Sequence, residues 1–329
     1  MTPSRIYHSA DCDPEFILKK QITVVGYGSQ GGAFALNLRD SGCNVQVALR
    51  ENSASRQQVL SERLPLRSMS AVDKSDVVIF AIPDHEQPDF YRSHFSNEDR
   101  ANRLLVFLHG LNIHFGNIVP NPEYDVVLLA PHGPGKDLRD KYVQGSSMSC
   151  FLAVAQDVSG RALKTGLSLA AAIGADKAGI HETTFKHETL GDLFGEQTLL
   201  VGGLAGLTMA VFRTMIENGI PPENAYLETV HQLRLLASMI EEHGPAGMIE
   251  HVSRTAAYGS LESMQTLFDR QFGDKLQEIF GGIKSGEFNK RLMADATKGF
   301  PVLKELLDAA REDQCQQTAA KFARNEKES

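Results

Sequence analysis

Between about residue 22 and residue 182 the chain alternates short apolar runs with longer polar, helix-permissive stretches. The runs ITVVG, NVQVALR, DVVIFAIP, RLLVFLHG, DVVLLAP and CFLAVAQD are rich in Val, Ile and Leu, and several are apolar at successive rather than alternate positions. Strands apolar on both faces belong in a parallel sheet covered by helices on each side. The pattern predicts an α/β domain over 1–182, a Rossmann-type doubly wound parallel sheet. Past Thr183 the apolar residues recur three and four apart, as in LETVHQLRLLASMI and LFDRQFGDKLQEIFGGI, which predicts an all-helical domain over 183–329. The polar stretch from about Glu312 onward reads as a frayed terminus.

Directly after the first of these strands comes GYGSQGGAFALNLRDSG, with Gly26, Gly28 and Gly31 in G-x-G-x-x-G spacing. The first glycine allows a tight turn, the second lets the backbone approach a pyrophosphate, and the third lets helix pack on strand. The segment Gly26, Tyr27, Gly28, Ser29, Gln30 and Gly31 is therefore the expected dinucleotide contact, with the helix N-terminus facing the phosphates. About twenty residues on, an NAD-preferring site would place an acid, and this chain has Arg50, followed by Ser53 and Ser55. A guanidinium and two hydroxyls suit a ribose 2′-phosphate, so NADPH is expected over NADH.

Composition narrows the class without changing the fold. With 42% hydrophobic and 22% charged residues over 329 positions, the chain reads as an ordinary globular protein of two domains. A net charge of -8 with no Lys/Arg cluster argues against a nucleic-acid partner. No membrane-spanning run and no secretory signal are read, and Cys12, Cys43, Cys150 and Cys315 lack metal-ligand spacing, so a cytoplasmic protein with reduced thiols is expected.

Two acids in GDLFGEQ, Asp192 and Glu196, lie four apart and would share one helix face, as would Glu228 and Gln232 in LETVHQLRLL. Grouped carboxylates suit Mg²⁺, although the same spacing is common on solvated helices. His109 ends a strand run, where ligands bind in α/β sheets; His114 reads as packed or capping.

In order along the chain, GYGSQGGA, HGLNIHFG, APHGPG, TTFKHETLGDLFGEQ, AYLETVHQLRLL and SGEFNKRL resemble the class I, short-form ketol-acid reductoisomerases, from about Ala10 to Arg291. That resemblance implies an alkyl shift in an acetohydroxy acid under two Mg²⁺ ions, then reduction of the 2-keto acid by NADPH. It implies that Asp192 bridges the metals, that Glu196 binds the first, and that Glu228 reaches the second from a partner subunit. Ser253 would touch the substrate carboxylate, His109 would be the catalytic histidine and also a cofactor contact, and Gly135 of APHGPG would be a further cofactor contact. It further implies a knotted helical domain that forms the dimer interface and completes each active site.

The chain departs from the family where the chemistry is most sensitive. His132 stands for the lysine of APKGPG, Gln232 for a metal-binding glutamate, and His187 and Leu190 for further glutamates. A neutral amide is a poorer Mg²⁺ ligand than a carboxylate, and imidazole is a shorter, mostly neutral substitute for an ammonium. The first expectation is a divergent member that keeps reduction of a 2-keto acid with a weakened alkyl shift, His132, Gln232, Glu196 and Ser253 still serving the site. The alternatives are an authentic ketol-acid reductoisomerase of branched-chain amino-acid synthesis and an inactive NADPH-binding scaffold.

Overall fold

A computed structural model describes residues 5–95 and 102–328. The chain divides into two compact units, Met1–Gly191 and Asp192–Ser329.

The first unit is built on a nine-stranded sheet. Its strands are β1 (Ile6–Tyr7), β2 (Ile22–Val25), β3 (Val45–Ala48), β4 (Leu66–Arg67), β5 (Val77–Phe80), β6 (Leu104–Phe107), β7 (Asp125–Pro131), β8 (Cys150–Gln156) and β9 (Ile180–Glu182), in the order β1-β9-β8-β7-β6-β5-β2-β3-β4. All six apolar runs become strands. Alternate residues serve opposite faces: Val24, Val47, Ile79, Val106 and Val127 enter one apolar core, while Val25, Ala48, Phe80, Phe107 and Leu128 enter the other. Burial on both faces explains why these runs carry no polar alternation.

The strands from β4 through β3, β2, β5 and β6 to β7 are parallel, but β8 pairs antiparallel with β7, and β1 antiparallel with β9. The sheet is thus mixed at one side. A run that is apolar on both faces looks the same in either direction, so the pattern could not show the reversal. The order reverses at β2, beside which both β3 and β5 pair, and α/β proteins bind ligands at such a switch point.

The second unit is helical throughout, except that a π-helical turn, Glu196–Leu200, follows the α-helix Phe185–Gly195. Two expectations are corrected here. The stretch after Glu312 is a helix, Gln314–Glu328, and Cys315 and Thr318 are buried while Phe322 stacks on Tyr226 at 4.2 Å between ring centres. An apolar stripe this narrow is invisible in a composition that is polar overall. Secondly, an apolar run does approach membrane-spanning length, since the helical stretch Phe185–Glu217 is long and apolar enough by length and composition. Its glycines and alanines dilute the appearance of the run, in which Leu199, Leu200 and Val201 are more than three-fifths exposed. Among the described residues, the buried cluster of Phe212, Ala225 and Cys315 is small for a unit of this size, and Leu235, Tyr258, Leu261 and Leu267 also face outward.

Candidate active site

The glycine-rich turn joins β2 to the helix Ser29–Asp40. Gly26 has φ +101°, and a Cβ there would lie 2.5 Å from the Ala81 carbonyl oxygen, so the turn requires glycine. Gly28 caps the helix with open space around its Cα, and no acid in the first turn opposes the positive end of the dipole. At Gly31 a Cβ would press on the Gly26 carbonyl oxygen at 2.7 Å, the close helix-to-strand packing expected of the third glycine.

A cleft of about 510 Å³ opens over this turn. Gly26, Tyr27, Gly28, Ser29, Gln30, Arg50, Ser53, Ser55 and His109 all line it, so nine of the expected cofactor contacts share one cavity. Gly31 and Gly135 do not line it; they support it from behind. A Cβ on Gly135 would sit 2.1 Å from the Ser29 carbonyl oxygen, and Gln30 Nε2 donates to the Gly133 carbonyl at 2.8 Å, which docks the APHGPG segment on the turn. Gly135→Ala should therefore raise the Kd for NADPH roughly tenfold or more in a fluorescence titration, because the backbone at Ser29 must move.

A nicotinamide dinucleotide fits what these residues offer. Gln30 Oε1 is buried with no protein partner, and Arg50, Ser53 and Ser55 give the cleft positive charge and hydroxyls. Arg50 also pairs with Glu86 at 3.1 Å.

His109 follows β6, and its Nδ1 accepts from the Leu111 backbone N–H at 3.2 Å. A neutral imidazole held this way carries its proton on Nε2. Beside it lies Glu188, which is not among the candidate residues of the sequence pattern. Glu188 is 4% exposed, and its Oε2 accepts from the Gly110 backbone N–H at 2.8 Å and from the Thr189 hydroxyl at 3.4 Å. The spacing that singles out Asp192 and Glu196 also reaches Glu188, one turn earlier, and was the available signal. Although Asp192 opens the second unit, the helix Phe185–Gly195 is continuous, so helix geometry ties Asp192 to Glu188. Ligand atoms of His109 and Glu188 lie within 4.8 Å of each other, and Asp192 follows Glu188 by one turn of the same helix. Two carboxylates beside an imidazole suit a hard divalent cation such as Mg²⁺.

Glu196 starts the π-helical turn one turn beyond Asp192 and is exposed. Such turns are rare and frequent at functional sites. Glu228 and Gln232 are not on one uninterrupted helix: Pro222–Thr229 ends, and Leu233–Glu250 begins with Gln232 as its cap. They still meet, because Gln232 Nε2 donates to Glu228 Oε2 at 3.1 Å. Ser253 caps the helix Arg254–Leu267, its hydroxyl accepting from the Ala256 N–H. His132 lies outside the cleft lining, just past β7; its Nδ1 is 2.9 Å from the Ser149 hydroxyl and its ring meets Phe151 edge-on. Burial, with Lys186 nearby, holds His114 below the usual imidazole range, which agrees with a packed role.

A doubly wound dinucleotide fold with a carboxylate cluster at the end of a sheet strand defines an oxidoreductase that also handles a divalent metal. Residues 16–179 match the family model described as acetohydroxy acid isomeroreductase, NADPH-binding domain, and residues 185–326 match ketol-acid reductoisomerase, C-terminal domain. The chain is 40% identical over 322 residues to a ketol-acid reductoisomerase (NADP(+)) of Pyrobaculum arsenaticum, covering 98% of each. A solved NADH-preferring ketol-acid reductoisomerase from an uncultured archean superposes with a TM-score of 0.93 at 34% identity, covering 97% of this chain and 98% of that one. A semialdehyde dehydrogenase NAD-binding protein from Cupriavidus necator, at 18% identity and TM-score 0.63, shares the fold alone. The chain belongs to the ketol-acid reductoisomerase family, as an NADP-dependent oxidoreductase of that type.

Proposed function

We propose that this chain performs the complete ketol-acid reductoisomerase reaction. An alkyl shift within an acetohydroxy acid such as 2-acetolactate is followed by reduction to 2,3-dihydroxy-isovalerate, a step of branched-chain amino-acid synthesis. The observation that carries this reading is His109, which belongs both to the lining of the dinucleotide cleft and to the carboxylate cluster. Glu188, buried among the acids, makes up negative charge that His187 and Leu190 subtract, and so favours the complete reaction over reduction alone.

When bound, NADPH would supply the hydride and Mg²⁺ the Lewis acidity that polarises the substrate carbonyl. Glu188, Asp192 and Glu196 would hold the metal on this chain. The Gly110 N–H and Thr189 hydroxyl fix the Glu188 carboxylate in orientation, so its charge stays directed at His109. His109, whose Nδ1 accepts from the Leu111 N–H, would offer an Nε2–H hydrogen bond to the reacting oxygen. His132, its Nδ1 within hydrogen-bond distance of the Ser149 hydroxyl, would stand where the family has lysine. Ser253 would take the substrate carboxylate.

A second reading, reduction without the alkyl shift, is favoured by one contact. Gln232 Nε2 occupies an oxygen of Glu228, the carboxylate that the rearrangement would use at the second metal. The two separate when 2-acetolactate and the already rearranged 3-hydroxy-2-keto acid are compared as substrates with Mg²⁺ and NADPH. The complete reaction gives turnover of both at similar kcat; turnover of the rearranged acid alone supports reduction only, and NADPH binding without oxidation by either supports a scaffold.

Glu228 would act from a second copy of the chain. The exposed Leu199, Leu200, Val201, Leu204 and Leu207 and the small buried cluster of the second unit favour a homodimer, since an apolar surface this extensive needs a cover. The same cover makes a membrane unnecessary and suits a cytoplasmic enzyme. Light scattering at micromolar concentration should give at least twice the 36.1 kDa chain mass, and a monomer there would contradict the shared site.

A further inference from the structure

Beside the arginine of the cleft stands an acid that the cofactor reading does not use, Glu86, which does not itself line the cavity. Arg50, Ser53 and Ser55 line the cleft after β3, and Pro83, Asp84 and Gln87 line it after β5. From the same segment Glu86 reaches Arg50: Arg50 Nη2 lies 3.3 Å from Glu86 Oε1 and 3.1 Å from Oε2, so one nitrogen is shared by both carboxylate oxygens. The Arg50 side chain is 63% exposed and that of Glu86 31%. An ion pair this open adds little to the stability of the fold, and its position at the cofactor cleft is what needs explaining.

Glu86 has opposite effects on the two nicotinamide dinucleotides. A ribose 2′-phosphate that reaches Arg50 must share the guanidinium with a carboxylate and stand near its negative charge. A ribose 2′-hydroxyl meets no such penalty, and the Glu86 carboxylate can accept its hydrogen bond. NAD-preferring folds give that role to an acid at the end of the second strand. In this chain Arg50 comes two residues after the strand and the acid comes from the segment after β5, so cation and acceptor are both present.

We infer that Glu86 is the specificity-determining residue that narrows this chain's preference for NADPH and lets NADH serve as well. The inference rests on the dinucleotide reading of the cleft and goes beyond it. The carboxylate drives no chemistry; it sets the relative affinity of the two cofactors through the adenosine ribose. Because the charges are exposed, the effect is one of screened electrostatics, about three- to tenfold in affinity per cofactor, and it shrinks as salt is raised.

The test is a calorimetric titration of the full-length wild type, Glu86→Gln and Arg50→Gln with NADPH, NADH, 2′,5′-ADP and 5′-AMP at low and high salt. Glu86→Gln should tighten NADPH and 2′,5′-ADP about three- to tenfold and leave NADH and 5′-AMP unchanged or weaker, while Arg50→Gln weakens the 2′-phosphorylated pair alone. Two results overturn the inference while leaving the cleft as the cofactor site. One is an unchanged ratio of NADPH to NADH affinity in Glu86→Gln; the other is weaker NADPH binding there, which would make Glu86 a support that orients Arg50 for phosphate. Failure of the wild type to bind any of the four ligands would overturn the dinucleotide reading itself.

Discussion

Replacing Glu188 with glutamine should lower kcat/KM for 2-acetolactate by roughly a hundredfold and weaken Mg²⁺ binding by a similar factor. Glutamine keeps the size of the side chain and can still accept from the Gly110 N–H through its amide oxygen. What it removes is the charge. At 4% exposure that charge is poorly screened by water, and it lies beside His109, one helical turn before Asp192. Steady-state kinetics over a range of Mg²⁺ concentrations checks this: partial recovery at high Mg²⁺ is expected, and a variant within threefold of wild type at every Mg²⁺ concentration would remove Glu188 from the site.

His109→Gln should cost about two to four orders of magnitude in kcat, the usual contribution of a positioned proton donor, while leaving the Kd for NADPH within a few-fold of wild type. The side chain is one of many that line the cleft, so the cofactor keeps its contacts with the glycine-rich turn and with Arg50. The loss should fall on the chemical step because His109 adjoins the acids as well as the cleft. Paired titration and single-turnover measurements separate the two quantities. Equal losses in binding and turnover would make His109 a packing residue of the cleft.

Much of this was legible in the residues because backbone sterics and burial leave marks in composition. Six strands could be read because burial on both faces demands successive apolar residues. The glycines of the turn could be read because Gly26 and Gly31 sit where a Cβ would strike backbone. The arginine and serines of the cleft followed from their place after the second of the six apolar runs. Strand direction left no such mark, so the antiparallel β8 went unseen. Glu188 was overlooked because acids were compared with the family position by position, whereas its importance comes from a tertiary contact to Gly110. The break between Glu228 and Gln232 was hidden for a related reason: apolar spacing continues through the turn at 230–232, and a side-chain hydrogen bond spans it.

The most direct test of the junction at His109 is paramagnetic broadening of bound NADPH by Mn²⁺ in place of Mg²⁺, followed by proton NMR. Broadening of the nicotinamide protons well beyond that of the adenine protons, and its loss in Asp192→Asn and Glu188→Gln, is the expected result. Equal broadening at both ends of the cofactor, or nicotinamide broadening that survives in those two variants, would show that the acids by His109 do not hold the metal beside the cofactor.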